Sequence, residues 1–293
     1  MNDAGAEFRL DTRRVRRAFE RAAAGYETTA VLQRTVESHA LARLELIRIA
    51  PQAIVDLGCG PGVAGRALLR RYRGAQVIGV DFAVAMLRAA RARRRWRSAQ
   101  RFVCADVQAL PLAADSVDLV FSNLALQWCA EPARVFAEVW RVLRPGGLFL
   151  FTSLGPDTLR ELRAAWRQVD GETHVHGFID MHDLGDALGR SGFENPVLDI
   201  EHFCLTYPDV RALARDLRAI GAGNSAAGRR RGLHGRLAWE RMAAAYEVFR
   251  SDGRLPASYE VIHAHAWKPL HPQPHDHDGA LPLRFHPPRG RRA

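Results

Sequence analysis

The segment Asp56-Leu57-Gly58-Cys59-Gly60-Pro61-Gly62 is the part of the chain best suited to hold a small molecule. Gly58, Gly60 and Gly62 alternate, a spacing that permits a tight turn and lets backbone approach a ligand with no Cβ in the way. A dinucleotide-binding turn also begins Gly-x-Gly, but its third glycine would fall at position 63, which is Val63. Glycines in this register behind the acidic Asp56 suit a ligand with a positive amino acid moiety in place of a pyrophosphate. A strand-to-helix turn that binds nothing would read the same way, so the loop alone leaves both readings open.

Four further features sit at the ends of successive apolar runs. Asp81 closes the second run, where a carboxylate can accept hydrogen bonds from both hydroxyls of a ribose. Phe82 and Met86 follow it as residues to pack on adenine. Asp106 lies after the third run, placed to meet an adenine amino group, with the backbone N–H of Val107 beside it. Asn123 follows the fourth, near the amino acid end of such a ligand. Taken singly, Asp81 and Asp106 suit helix caps equally well, and Phe82 and Met86 suit a core. Their recurrence at successive strand ends favours a binding site.

The elements that must position these residues follow from periodicity. Helices are expected over 12–24 and 27–49, divided at Gly25. Ala53-Ile54-Val55-Asp56-Leu57, 76–80, 101–104, 117–121 and 148–151 read as short buried strands. Helices are expected over 83–95 and 132–143, the latter stopped by Pro145-Gly146-Gly147. Strands alternating with helices imply an α/β, doubly wound, mostly parallel seven-stranded sheet, with ligands at the carboxyl ends of the strands. Beyond it, helices are expected over 157–169, 181–191, 208–221 and 234–250, and strands over 196–206 and 259–267. The expected organisation is N-terminal helices over 1–49 covering the site and a catalytic domain over 50–269. Its insertion of about 208–250 forms a lid, and a disordered tail runs over 270–293.

The 293 residues carry a formal charge of +10, which favours acidic partners. Lys268 is the only lysine, so a genome rich in G and C explains part of that excess equally well. Cys59, Cys104, Cys129 and Cys204 form no Cys-x-x-Cys pair, against a disulfide framework or zinc site, and no metal is expected. No apolar run reaches membrane-spanning length. Asp3, Glu7 and Asp11 interrupt the Arg-rich start, which therefore reads as mature protein of a bacterial-type cytoplasm.

The motifs Val55-Asp56-Leu57-Gly58-Cys59-Gly60-Pro61-Gly62, Gly79-Val80-Asp81, Ala105-Asp106 with Leu110-Pro111-Leu112, and Arg141-Val142-Leu143-Arg144-Pro145-Gly146-Gly147 resemble those of class I S-adenosylmethionine-dependent methyltransferases. The flanks narrow this. Arg17-Ala18-Phe19 through Ala23, Tyr26 to Gln33, and Asn123-Leu124-Ala125-Leu126-Gln127-Trp128 resemble malonyl-[acyl-carrier protein] O-methyltransferases, which open bacterial biotin synthesis. So do Leu205-Thr206-Tyr207-Pro208, Asp216 to Asn224, and Gly228 to Leu233.

The resemblance implies S-adenosyl-L-methionine as cofactor, methyl transfer to the free carboxylate of malonyl-[acyl-carrier protein], and a monomer with no nucleic-acid partner. A carboxylate is already ionised at neutral pH, so no general base is expected. Tyr26, Gln33, Trp128 and Arg218 are the candidates for positioning, and Arg229, Arg230 and Arg231 for docking the acidic carrier or its phosphate. Alternatives stay open: a methyltransferase or hydroxylase acting on another small molecule or protein side chain, or a basic RNA-binding methyltransferase.

Overall fold

The computed structural model describes residues 10–94, 96, 98–129, 131–227 and 235–271. The docking candidates Arg229, Arg230 and Arg231, and the His-rich tail from residue 272, lie outside the described residues.

Three helices, α1 (Thr12–Ala22), α2 (Tyr26–Thr29) and α3 (Val31–Arg43), precede the sheet. There follow β1 (Ala53–Leu57), α4 (Val63–Arg71), β2 (Gln76–Asp81), α5 (Val84–Ala92), β3 (Gln100–Cys104) and β4 (Val117–Ser122). A short 3-10 turn, Leu126–Trp128, leads to α6 (Pro132–Val142), β5 (Leu143–Leu154), α7 (Arg160–Arg167), α8 (Met181–Arg190) and β6 (Glu194–Tyr207). The helices α9 (Val210–Ala219) and α10 (Arg236–Tyr246) lie between β6 and the last strand, β7 (Leu255–Trp267).

The seven strands run in the order β3-β2-β1-β4-β5-β7-β6, with β7 antiparallel to both its neighbours. Side chains alternate between faces with the strand period of two. Val55, Leu57, Phe149 and Phe151 pack against α6 and α8, whereas Ile54, Leu148 and Leu150 pack against α3 and α4. Burial on both faces explains why these strands read as unbroken apolar runs. The strand order reverses between β1 and β4, and an open sheet of this kind receives ligands at that point, beyond the carboxyl ends of the strands.

Several boundaries differ from expectation, among them the starts of β5 and β7. The second N-terminal helix stops at Arg43, not near 49, because the chain turns there and leaves Leu46 88% exposed. The helix expected over 132–143 does end there, at Val142, but the Pro-Gly-Gly taken as its stop lies inside β5. Proline disfavours helical backbone at the residue before it. Leu143 is already extended (φ −67°, ψ 137°), and the strand register shifts between Val117 and Leu119, opposite this segment.

Candidate active site

The glycine loop folds back on β2. The N–H groups of Gly58 and Cys59 both donate to the carbonyl of Val80, at 2.8 and 3.0 Å. Asp81 fixes the loop from the end of that strand: its Oδ2 accepts from Gly60 N at 2.9 Å and its Oδ1 from Ala83 N at 2.8 Å. Asp56 accepts from Gly65 N at 3.1 Å, inside the first turn of α4. Gly58, Gly60 and Gly62 all have positive φ, at 68°, 49° and 75°. A Cβ on Gly58 would stand 2.4 Å from that of Ala125, so only glycine allows this approach of the loop to the β4 end.

One recess is lined by Gly58, Gly60, Asp81, Phe82, Met86, Asp106, Val107 and Asn123, together with Tyr26 and Trp128. Eight of the ten residues expected at the cofactor thus meet around one space. Asp56 faces a smaller adjoining recess with Gly58, Gly60, Gln33 and Glu37. Gly62 faces neither; it is the N-cap of α4, against Gln100 and Phe102. Asn123 is tied at both ends of its amide: Nδ2 donates to Gln33 O at 2.9 Å, and Oδ1 accepts from the Thr152 hydroxyl at 2.8 Å. Its side chain therefore braces α3 against β5. Asp106 accepts from Gln108 N at 2.9 Å, which orders the turn after β3.

Carboxylates outnumber cations around the two recesses: Asp81 and Asp106 line the first, and Glu27, Glu37 and Asp56 line the smaller one with Arg34. Burial pushes the Asp56 carboxyl up to about 7 and Asp81 up to about 6, and Asp81 adds to the rise of Asp56. Glu37 on α3 is raised to about 8, first by burial and then by Asp56. Tyr26 is held above the usual phenol range by burial, with Asp81 and Glu37 adding, so its hydroxyl stays protonated. Such a cluster suits a cation.

A second, larger cavity of about 860 Å³ adjoins the first. Phe19, Tyr26, Leu124 and Trp128 line both and so form the shared wall. Its lining is largely apolar and includes Leu32, Leu154, Leu162, Trp166, Phe178 and Leu213. The candidates Tyr26, Gln33, Trp128 and Arg218 all face it. Arg211, Arg215 and Arg218 face it from one side of α9 at i, i+4 and i+7, and Arg14 joins them from α1.

A methyltransferase domain matches residues 55–151. The malonyl-[acyl-carrier protein] O-methyltransferase of Methylovorus sp. (strain MP688) is 53% identical over 286 residues, covering 95% of this chain and 96% of the relative. Its counterpart in Laribacter hongkongensis (strain HLHK9) is 52% identical over 289 residues, covering 96% and 97%. The chain belongs to the malonyl-[acyl-carrier protein] O-methyltransferase family. It is accordingly an enzyme of the class I S-adenosylmethionine-dependent group. Among solved structures, the YcgJ protein from Bacillus subtilis shares the fold with a TM-score of 0.57, at 18% identity, over 79% of this chain and 99% of that one.

The recess fits the cofactor of that family on its own terms. A Cβ on Gly60 would meet no protein atom within 4 Å, so bare backbone faces the space a ligand would take, beside Asp81 and Asp106 in a recess whose described lining includes no arginine or lysine. Sequence reasoning missed several contributors. Glu20 on α1 accepts from Val84 N and Ala85 N at 2.7 and 2.9 Å and so caps α5, whose own N-cap Ala83 makes no side-chain bond. Thr12, Gln108 and Cys129 line the first recess, and Glu37 lines the smaller one with Asp56. No local signal marks them, since each arrives from a separate element.

Proposed function

We propose that the enzyme transfers the methyl group of S-adenosylmethionine to the free carboxylate of malonyl-[acyl-carrier protein], giving the methyl ester. One observation carries this beyond kinship. An apolar chamber with arginines along α9 abuts a recess rich in carboxylates, across a wall of aromatic rings. The two compartments have opposite preferences, one for a cation and one for an anion on an otherwise apolar chain.

In this reading Asp81 holds the ribose hydroxyls, since each carboxylate oxygen keeps a lone pair beyond its backbone bond. Phe82 and Met86 flank the adenine, Asp106 and the Val107 N–H meet its edge, and Asp56 with Gly58 and Gly60 faces the amino acid end. When bound, S-adenosylmethionine supplies a methyl carbon made electrophilic by its sulfonium. The protein's part is alignment and exclusion of water. Tyr26 and Trp128 stand at the wall where the two compartments meet, and Gln33 lines the chamber and the smaller recess of Asp56. Arg218, with Arg211 and Arg215, draws the negative acceptor into the chamber. The acceptor carboxylate needs no proton removed at neutral pH, and no residue is assigned as a base.

Labelled S-adenosylmethionine should mark malonyl-carrier protein and leave the acetyl form, which lacks the free carboxylate, unmarked. Equal labelling of both would remove carboxyl transfer as the reaction. Replacing Arg211, Arg215 and Arg218 together by glutamine should raise KM for the malonyl carrier by about tenfold or more, with cofactor affinity changing far less. A fall confined to cofactor affinity would detach these arginines from the acceptor.

A further inference from the structure

Two residues that line the larger cavity each carry a buried side-chain atom with no hydrogen-bond partner among the described residues: Oε1 of Gln127 and Nε2 of His176. Buried polar atoms in folded proteins nearly always have a partner, and the wall around these two is largely apolar. The Gln127 amide is fixed in orientation. Its Nε2 donates to the carbonyl of Leu124 at 2.7 Å, and Leu124 itself has φ of 47°, so the local turn is tightly defined. Oε1 is thereby left as an unpartnered acceptor on a residue of the chamber's lining.

His176 is 5% exposed and held between rings, with centroids 5.0 Å from Trp128 and 4.6 Å from Phe178. Burial, and then the charge of Arg163, press its pKa down to about 4, so the ring is neutral and carries one N–H and one lone pair. The rings also give an order along the site. Phe82 meets Phe19 at 6.1 Å, Phe19 meets Trp128 at 5.4 Å, and His176 and Phe178 continue the file. His176 therefore sits one ring deeper in the acceptor chamber than the shared wall. A group bound there belongs to a part of the acceptor beyond its reacting carboxylate. A malonyl group fills only a small part of about 860 Å³, which leaves room for such a part.

We propose that Gln127 and His176 form a subsite for an amide-bearing arm of the acceptor, with Gln127 Oε1 accepting from an amide N–H and His176 Nε2 donating to a carbonyl oxygen. The assignment rests on the carboxyl-transfer reading above and adds which portion of the acceptor is read. An apolar thioester with no amide matches neither atom, whereas a pantetheine-like arm matches both.

The test compares two small malonyl thioesters, one of N-acetylcysteamine, which carries an amide, and one of butanethiol, which carries none. The native enzyme should favour the amide-bearing ester by about tenfold in kcat/KM, mainly through KM. His176→Phe and Gln127→Met should each bring that ratio towards one, and His176→Asn, which restores a donor, should recover part of it. Calorimetric affinity for S-adenosylmethionine reports whether each variant is folded, and His176→Asn decides the matter if His176→Phe is not. An equal rate on both esters in the native enzyme, or an undiminished ratio in the folded variants, would overturn the subsite. Failure to label malonyl-carrier protein at all would instead strike the carboxyl-transfer reading on which it stands.

Discussion

Asp56 and Asp81 end neighbouring strands, each almost fully buried, and both hold their protons to unusually high pH. For a carboxyl group this means that ionisation costs stability in the folded chain. The cost is absent below about pH 4, where folded and unfolded chains are both protonated, and complete once pH passes about 7 for Asp56 and about 6 for Asp81. A cationic ligand offsets it only where the groups are ionised. Affinity for S-adenosylmethionine should therefore rise about tenfold between roughly pH 5.5 and 7.5, and the ligand's thermal stabilisation should grow over the same interval. A binding constant independent of pH there would dismiss this account. Asp81→Ala removes charge-assisted hydrogen bonds worth about 1.5–3 kcal/mol, so calorimetry should find affinity lowered by roughly 10–150-fold. Unchanged affinity would remove Asp81 from the ribose. At this scale the sequence disclosed that Asp81 meets Gly58 and Gly60 around one recess, because residue type and strand-end position coincide within a few residues, but not that Gly62 lies outside it. It hid Glu37, Gln127 and His176, whose significance comes from burial and missing partners, neither of which linear spacing records.

The strands and helices of the central sheet were legible because each apolar run is short, bounded and local, and two-faced burial leaves a simple pattern. The end of α3 and the cause of the stop at α6 were less so. Arg43 ends its helix by a turn whose cause is tertiary, and Val142 passes directly into a strand that the proline merely follows. The insertion between β6 and β7 was placed by its helical spacing, but the arginine face of α9 acquires meaning only beside a chamber built by α1, α7 and β7. The glycine loop tests the link between element and site. Gly58→Ala would impose a left-handed backbone on an L-residue, about 1–2 kcal/mol, and drive a methyl group into Ala125. Its cofactor affinity should fall by at least about tenfold, with a lower Tm in the apo protein. A Gly58→Ala protein with native affinity would mean that the loop relaxes away from Ala125 at little cost.

The first recess measures about 100 Å³, whereas pockets that enclose a ligand usually measure about 300–1,000 Å³, so on the proposed reading a nucleoside enters as the cover over it lifts. We take that cover to be α1, whose Thr12 and Phe19 line the recess and whose Phe19 packs with Ala83 and Met86 at the start of α5. α1 is also fastened to the insertion. Asp11 N donates to Ser225 O at 2.9 Å, Leu10 pairs with Ala226, Arg14 reaches Asn224 O at 3.1 Å, and Gly221 (φ 77°) packs against Phe19. Adding S-adenosylmethionine should accordingly slow amide hydrogen exchange over residues 12–22 and 210–219 together. Protection confined to the first stretch would show that the two covers move apart. Because residues 10–14 are stitched to 224–226, the proposed reading gives donor and acceptor one doorway. Whatever raises the canopy for the nucleoside also unseals the cavity meant for the thioester, and lowering it shuts bulk solvent out of both rooms at once.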